Sequence, residues 1–419
     1  MIVILKFYIA KYDNSEYIVR LKILYIKMLK RSVFILSYLV LLCATSCVQK
    51  TNIKEEYENL EKLGGVANEE CNIIYVDTLK ISSSETSLKG HWSIMDNKLC
   101  FADEYIVKVI MYDTLGKKLS SFFSRGRGPR EFLSPPLSFF PLENGNYFYS
   151  DRDQFLYIVS PCPEFEKLTE INLLRAVLPL RNTENYINNL LKNPDPEDYA
   201  MYEICLQSRD FIEYKGSVLF PVTTDHIKFN GYERAFSGNF YKYAYNIMSL
   251  DTSNLNINRL FCRYPVVYES KNIPNFKNCH MSTDGKYLYV GFEAEPNIYI
   301  YDENFEIIGY FGEPVSEINT DYPETSTYDQ SCKLNKTHRM EHGYYSYVSH
   351  YGEFLFREYI VPGGAKGIQI YDGHNLVCSQ LLKDSDFTVI GYIYPYYYAV
   401  MDCNLDNEEY SIVKFLIEK

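Results

Sequence analysis

Three segments share one pattern: Val109-Ile-Met-Tyr-Asp113, Ile298-Tyr-Ile-Tyr-Asp302 and Ile368-Gln-Ile-Tyr-Asp372. Each reads as a strand ending in Tyr-Asp, followed by a turn containing Gly or Asn and then a second strand, over residues 118–123, 306–311 and 376–382. Asp and Gly suit such a turn because they tolerate the tight or left-handed backbone that a hairpin requires. Two looser copies fit the same frame: Leu156-Tyr-Ile-Val-Ser160 with 165–171, and Tyr245-Asn-Ile-Met-Ser-Leu-Asp251 with 256–261.

An earlier strand precedes each copy, at 98–102, 146–150, 217–222, 286–292 and 353–357, so five units of strand, strand and strand follow one another. Units that bury their faces only against neighbours must close into a ring. The C-terminus supplies two more strands, 396–401 and 409–417, and lacks an outer one. Asn72-Ile-Ile-Tyr-Val-Asp-Thr-Leu-Lys-Ile81 is a free strand at the other end of the chain. The expected fold is therefore all-β, a six-bladed β-propeller over 72–419, closed by an N-terminal strand joining the last C-terminal blade. Two unrelated β-sandwich domains are the alternative.

Composition agrees with strands. Forty-one Tyr and 25 Phe stand against one Trp, and aromatic side chains pack well on a pleated surface. The formal net charge is −12, and the first 46 residues carry seven basic but only two acidic side chains, so the remainder is more acidic still. A chain of this charge without a Lys/Arg run is repelled by phosphate backbones, which argues against nucleic acid. Of eleven cysteines, nine lie beyond residue 47, widely spaced and without a C-x-x-C pair. That indicates neither zinc nor a dense disulfide framework; most are expected to be buried as small hydrophobes, with one or two bridges left open.

The N-terminal region fixes a compartment. Met28-Leu-Lys-Arg-Ser-Val-Phe-Ile-Leu-Ser-Tyr-Leu-Val-Leu-Leu-Cys-Ala-Thr-Ser-Cys47 has a basic start at Lys30 and Arg31, an apolar run too short to span a bilayer, and small residues before a cysteine. It resembles the bacterial lipoprotein signal, in which Cys47 carries the lipid; a plain signal peptide is the alternative. A start at Met28 gives a signal of ordinary length over 28–46, leaving 1–27 as a mis-assigned upstream extension; a genuine extra N-terminal helix is the alternative. Residues 47–71 are charged and aperiodic and read as a tether. The partner implied there is the membrane, reached through the N-terminal lipid, and the localisation is the cell envelope.

Two stretches fall outside the repeat, 172–209 and 313–345. Both lie between the last strand of one blade and the first of the next, connections that all emerge on one propeller face, and they read as a lid or rim. Asn182-Thr-Glu-Asn-Tyr-Ile-Asn-Asn-Leu-Leu191 carries a short-helix pattern. On the same face lies Ser124-Arg-Gly-Arg-Gly-Pro-Arg-Glu-Phe132. Its Arg125, Arg127 and Arg130, with Glu131, form the candidate ligand-binding group, since arginine forks grip carboxylates and other anions. The structural alternative is a turn that aims the chain inward while an arginine pairs with Glu131.

Signal, strand-Tyr-Asp-turn-strand unit and Gly-Arg-Gly-Pro-Arg-Glu-Phe together resemble the six-bladed, TolB-like propeller lipoproteins of gut Gram-negative bacteria. That family commonly has Gly-x-Gly-Pro-Gly-Glu-Phe; Gly126, Gly128, Pro129, Glu131 and Phe132 match, while Arg130 replaces a glycine. The resemblance implies a fold and a compartment and supplies no reaction.

No catalytic residue or metal site is singled out. His338-Arg-Met-Glu-His342 lacks the Glu that a zinc protease needs after the first His. Asp402-Cys-Asn-Leu-Asp-Asn-Glu-Glu409 lacks the calcium-loop Gly and reads as a hairpin turn. No nucleophile elbow, phosphate loop or dinucleotide fingerprint occurs, and no cofactor is expected. The leading expectation is a non-enzymatic propeller binding a small molecule, glycan or peptide, or an envelope protein, on the insertion face. A lyase or hydrolase at the channel mouth is the alternative. A convergent His, Asp or Glu cluster with shifted pKa values would favour the enzyme, and aromatic residues with one cation clamp would favour binding.

Overall fold

The computed structural model describes residues 56–67, 71–82, 84–207, 210–382, 387–404 and 406–418. Cys47, the signal over 28–46 and residues 1–27 lie outside them. The described chain is a six-bladed β-propeller, with six antiparallel sheets.

Blade 1 comprises Gly90–Met95, Lys98–Asp103, Val109–Tyr112 and Lys118–Phe122. Blade 2 follows with Pro136–Pro141, Tyr147–Asp151, Phe155–Val159 and Lys167–Asn172. Blade 3 has Glu203–Ile204, Ser217–Thr223, Tyr245–Asp251 and Ile257–Arg263, with Ile212–Tyr214 also paired to its second strand. Blade 4 is Cys279–Thr283, Leu288–Phe292, Ile298–Tyr301 and Ile307–Phe311, and blade 5 is Tyr344–Tyr351, Phe354–Ile360, Lys366–Asp372 and Asn375–Leu381.

The repeat maps onto the second, third and fourth strands of each blade. The Tyr-Asp turn works as expected: Asp113 Oδ1 accepts from the amides of Leu115 and Lys117, and Asp302 Oδ1 from those of Asn304 and Glu306, all at 2.8–2.9 Å. A carboxylate that satisfies two turn amides lets the hairpin reverse without orphaned donors. The innermost strand of each blade lies outside the sequence repeat, and it is these strands that wall the channel.

Blade 6 joins both chain ends. Thr388–Ile393, Tyr396–Asn404 and Glu409–Glu418 come from the C-terminus, and Asn72–Ser82 adds the outer strand. Its antiparallel register runs from Asn72 opposite Glu418 to Ser82 opposite Glu409, with one irregularity between Tyr75 and Asp77. Leu79 and Ile81 point inward, 6% and 1% exposed.

The described part of the expected tether is bound to the propeller. The Tyr57 hydroxyl donates to the Arg263 carbonyl at 2.7 Å, and its ring meets Tyr299 edge-on at 4.8 Å. Lys62 bridges Tyr310 and Val66 bridges Leu376, both in parallel sense, so the segment runs along the outer strands of blades 4 and 5. The Cys71 amide then bonds the Val377 carbonyl at 2.8 Å before the closing strand begins.

Among the described residues three helices of ten residues or more stand beside the blades: α1 (Thr183–Lys192), α2 (Arg234–Tyr243) and α3 (Tyr328–His342). α1 lies in the first insertion and α3 in the second, while α2 interrupts blade 3 between its second and third strands. α3 starts where Thr327 accepts from the Gln330 amide at 3.2 Å and Gln330 accepts from the Ser326 amide at 2.8 Å, a reciprocal arrangement of the capping-box kind. None of the described helices is long and apolar enough to cross a membrane.

Candidate ligand-binding site at the channel mouth

The inner strand of blade 4, Cys279-His-Met-Ser-Thr283, alternates between core and channel, which turns His280 and Ser282 into the channel while Cys279 and Met281 are 4% and 2% exposed. His280 Nδ1 hydrogen-bonds Asp210 Oδ2 at 2.8 Å, linking the start of blade 4 to the segment entering blade 3. Its Nε2 lies 3.9 Å from Glu293 Oε1, an ion-pair separation without a hydrogen bond. Burial acts to lower the His280 pKa, but the Asp210 carboxylate, with help from Glu293, outweighs it and raises the value to about 10. The ring is therefore an imidazolium at neutral pH.

Glu293 closes the second strand of blade 4 and faces α3. Arg339 binds it through both guanidinium nitrogens, 2.9 Å to each carboxylate oxygen. Burial would raise the Glu293 pKa; Arg339 and then His280 reverse this and lower it to about 2. Arg339 also donates to the Asn275 carbonyl at 2.8 Å and covers the Tyr344 ring at 3.6 Å. In the neighbouring blade 5 Lys366 Nζ pairs with Glu358 Oε2 at 2.6 Å and donates to Thr388 Oγ1 at 2.8 Å, tying blade 5 to blade 6. Burial raises the Glu358 pKa, partly offset by Lys366.

Lys277 differs from these cations. It is 5% exposed, its ammonium lies 4.1 Å from the Tyr232 ring centroid, and it donates a long hydrogen bond, 3.5 Å, to Thr223 Oγ1. It has no carboxylate partner among the described residues. With Asp210, Glu293 and Glu358 set against Lys277, His280, Arg339 and Lys366, the group has a formal charge of +1 when His280 is protonated, in a chain of formal charge −12.

All of these charged side chains except Asp210, which lines the second cavity below, wall a vestibule of about 580 Å³ on the insertion face, roofed by α3. Tyr328 and Tyr232 form a corner at its mouth, with ring centroids 5.0 Å apart and planes at 81°. A second cavity of about 620 Å³ continues down the channel, and Gln207, His280, Tyr347 and Glu358 line both. α3 is firmly held: Ser331 Oγ donates to Asn275 Oδ1 at 2.6 Å and Asn275 Nδ2 meets His338 Nδ1 at 3.1 Å. His342 contacts the Asn319 carbonyl at 3.3 Å. The histidines of His338–His342 thus anchor the helix, and the arginine between them reaches the site. Among the described residues no three His, Cys, Asp or Glu side chains stand close enough together to hold a metal ion.

The arginine loop lies on the same face but lines neither cavity. Arg125, Arg127 and Arg130 are exposed, and Arg130 approaches Glu166 at 3.5 Å. Glu131 turns under the loop and accepts from the Gly128 amide at 2.8 Å. A Cβ on Gly126 would stand 2.0 Å from that carboxylate and push it out of its present position. Phe132 is fully buried and stacks on Tyr149 at 3.9 Å. The seven charged residues of the vestibule group were not singled out in the sequence. The available signal was the alternation around His280 on a strand too short to stand out beside the Tyr-Asp repeat.

No protein-family model matches the chain, and no curated protein matches it by sequence. Among solved structures it is similar to a Bacteroides fragilis protein described as exported, at 14% identity and TM-score 0.52, over 85% of this chain and 99% of that one. It also aligns with regucalcin, a calcium-binding protein of Agrobacterium tumefaciens, at 9% identity and TM-score 0.40, over 86% and 97% of the two chains. BamB of Moraxella catarrhalis aligns at 9% identity and TM-score 0.36, over 85% and 94%. The first likeness supports the fold alone, and the other two carry no argument. The class defined by blades and channel is the six-bladed β-propeller.

Proposed function

We propose that this protein is a lipid-anchored binding propeller of the cell envelope and that its vestibule takes an anionic ligand. The observation that carries the binding role is Lys277. A buried ammonium without a carboxylate partner costs several kcal/mol, and a ligand anion at the Tyr232 corner offsets that cost. The Nε2–H of the His280 imidazolium, 3.9 Å from Glu293 and without a hydrogen bond, supplies a second donor. Hydrogen bonds to charged groups contribute about 1.5–3 kcal/mol each, enough for a specific small-molecule site.

The enzyme reading draws on the convergence of His280, Asp210, Glu293 and Glu358. Proton exchange near neutral pH needs a group that titrates there, and His280 at about 10 and Glu293 at about 2 do not. Their pairing favours fixed charge over proton transfer. Turnover abolished in Glu358→Gln with ligand binding retained is the result that would favour the enzyme.

Calorimetric titration of acetate and phosphate into the purified protein tests the anion site. Binding is expected in the parent and lost in Lys277→Gln. Binding kept in Lys277→Gln but lost in Arg127→Ala would move the site to the arginine loop, and no anion binding in the parent would remove the reading. The anchor rests on the lipobox-like sequence ending at Cys47; Cys47→Ala is expected to move the protein from the membrane fraction to the soluble one.

A further inference from the structure

We infer that the ligand of the vestibule is an acidic saccharide, a short oligosaccharide carrying a uronate-type carboxylate. This rests on the anion site proposed above and adds to it the chemistry of the walls.

The volume comes first. At about 580 Å³ the vestibule lies in the roughly 300–1,000 Å³ range of small-molecule sites and is far larger than a bare inorganic anion requires. The ligand must fill it with something other than its charge.

The walls say what that is. Tyr232, Tyr328, Tyr344 and Tyr347 line the vestibule, and Tyr328, 53% exposed on the first turn of α3, stands at right angles to Tyr232 at the mouth. Apart from Tyr344, whose ring Arg339 covers at 3.6 Å, such rings offer an apolar face for the C–H side of a sugar and a polar edge for its hydroxyls. Gln207, Asn278 and Asn335 also line the vestibule, the Asn278 amide donating to Glu293 Oε1 at 3.2 Å. An amide both donates and accepts, which matches hydroxyl groups that also do both. Aliphatic lining is confined to Pro274 and Ile360, so a fatty or aliphatic acid finds no apolar wall.

Charge sets the remaining choice. One net positive charge in the group matches one carboxylate and is too little for a polyphosphate. A nucleotide also expects a glycine-rich loop or a free helix N-terminus to cradle its phosphates; no glycine lines the vestibule, and at the start of α3 the Tyr328 and Gln330 amides already donate to Glu233 and Thr327. A monoanionic ring system rich in hydroxyls fits charge, volume and walls together.

The test is calorimetry on the full chain at low salt, with a panel of di- and trisaccharides of galacturonate and glucuronate, their neutral galactose and glucose counterparts, and sodium acetate. A uronate oligosaccharide is expected to bind at least roughly tenfold more tightly than its neutral counterpart and than acetate. Its affinity is expected to fall roughly tenfold or more in Lys277→Gln, as for a lost hydrogen bond to a charged group, and also in Tyr328→Ala. Tyr328 is half exposed, so this variant is expected to keep the parent melting temperature and report on binding alone. If acetate binds through Lys277 and no uronate in the panel exceeds it, the saccharide is wrong and the anion site stands. If nothing anionic binds the parent, both fall.

Discussion

Arg339 and Glu293 meet through two hydrogen bonds of 2.9 Å each, and this one contact joins the roof helix α3 to the second strand of blade 4. Both side chains are largely buried, 22% and 3% exposed. Removing one member of such a pair leaves an uncompensated charge, at a cost of about 3–5 kcal/mol. Glu293→Gln is expected to destabilise the protein by that order, measured as a shift of the urea midpoint. The same variant removes a carboxylate that holds His280 charged, so the His280 ring, followed by NMR, is expected to titrate below the parent value of about 10. An unchanged titration would place the whole effect on Asp210.

Glu295 gives a pH dependence of opposite origin. Its Oε1 has no hydrogen-bond partner among the described residues, and burial raises its pKa to about 8, against hydrogen bonds from Tyr299 and Asn297 and the charge of Arg357. The unfolded chain releases this proton near 4.5 and the folded chain near 8. Folded protein thus binds more protons across that window, and stability falls as pH rises from about 4.5 to 8. Glu295→Gln removes this loss, on the order of a few kcal/mol. Urea midpoints at pH 5 and pH 8.5 are expected to differ less in the variant than in the parent; an equal difference would exclude Glu295 as the source.

The closing strand is expected to dominate global stability. Ile81 is 1% exposed and pairs with Tyr410 in the register between the chain ends. Ile81→Ala is expected to cost about 2–5 kcal/mol. Deleting residues 72–81 removes most of the outer strand of blade 6 and opens the ring. A melting temperature unchanged by the deletion would refute the closure's energetic role.

The segment 56–67 is expected to resist proteolysis while its rim contacts hold. Tyr57→Ala removes the hydrogen bond to the Arg263 carbonyl and the edge contact with Tyr299. Limited digestion is expected to cut within 56–67 several-fold faster in this variant, with the blades intact. Equal cutting rates would mean that the bridges at Lys62 and Val66 hold the segment by themselves.

The sequence by itself determined the ring. Three Tyr-Asp strands, two looser copies and a free strand at residues 72–81 sufficed for six blades and their closure, because strand alternation and Asx turns are local signals that survive in one dimension. The Gly126–Phe132 loop was visible for the same reason, with its glycines, Glu131 and Phe132 all within one turn. The vestibule was decided only by the tertiary structure. His280 and Asp210 are 70 residues apart, Arg339 and Glu293 are 46, and each side chain taken alone reads as an ordinary surface charge. Closing the ring brings the inner strands and α3 to one mouth and excludes water from the charges there. The state of His280 and the setting of Lys277, against the Tyr232 ring without a carboxylate partner among the described residues, follow from that burial, which no spacing along the chain encodes.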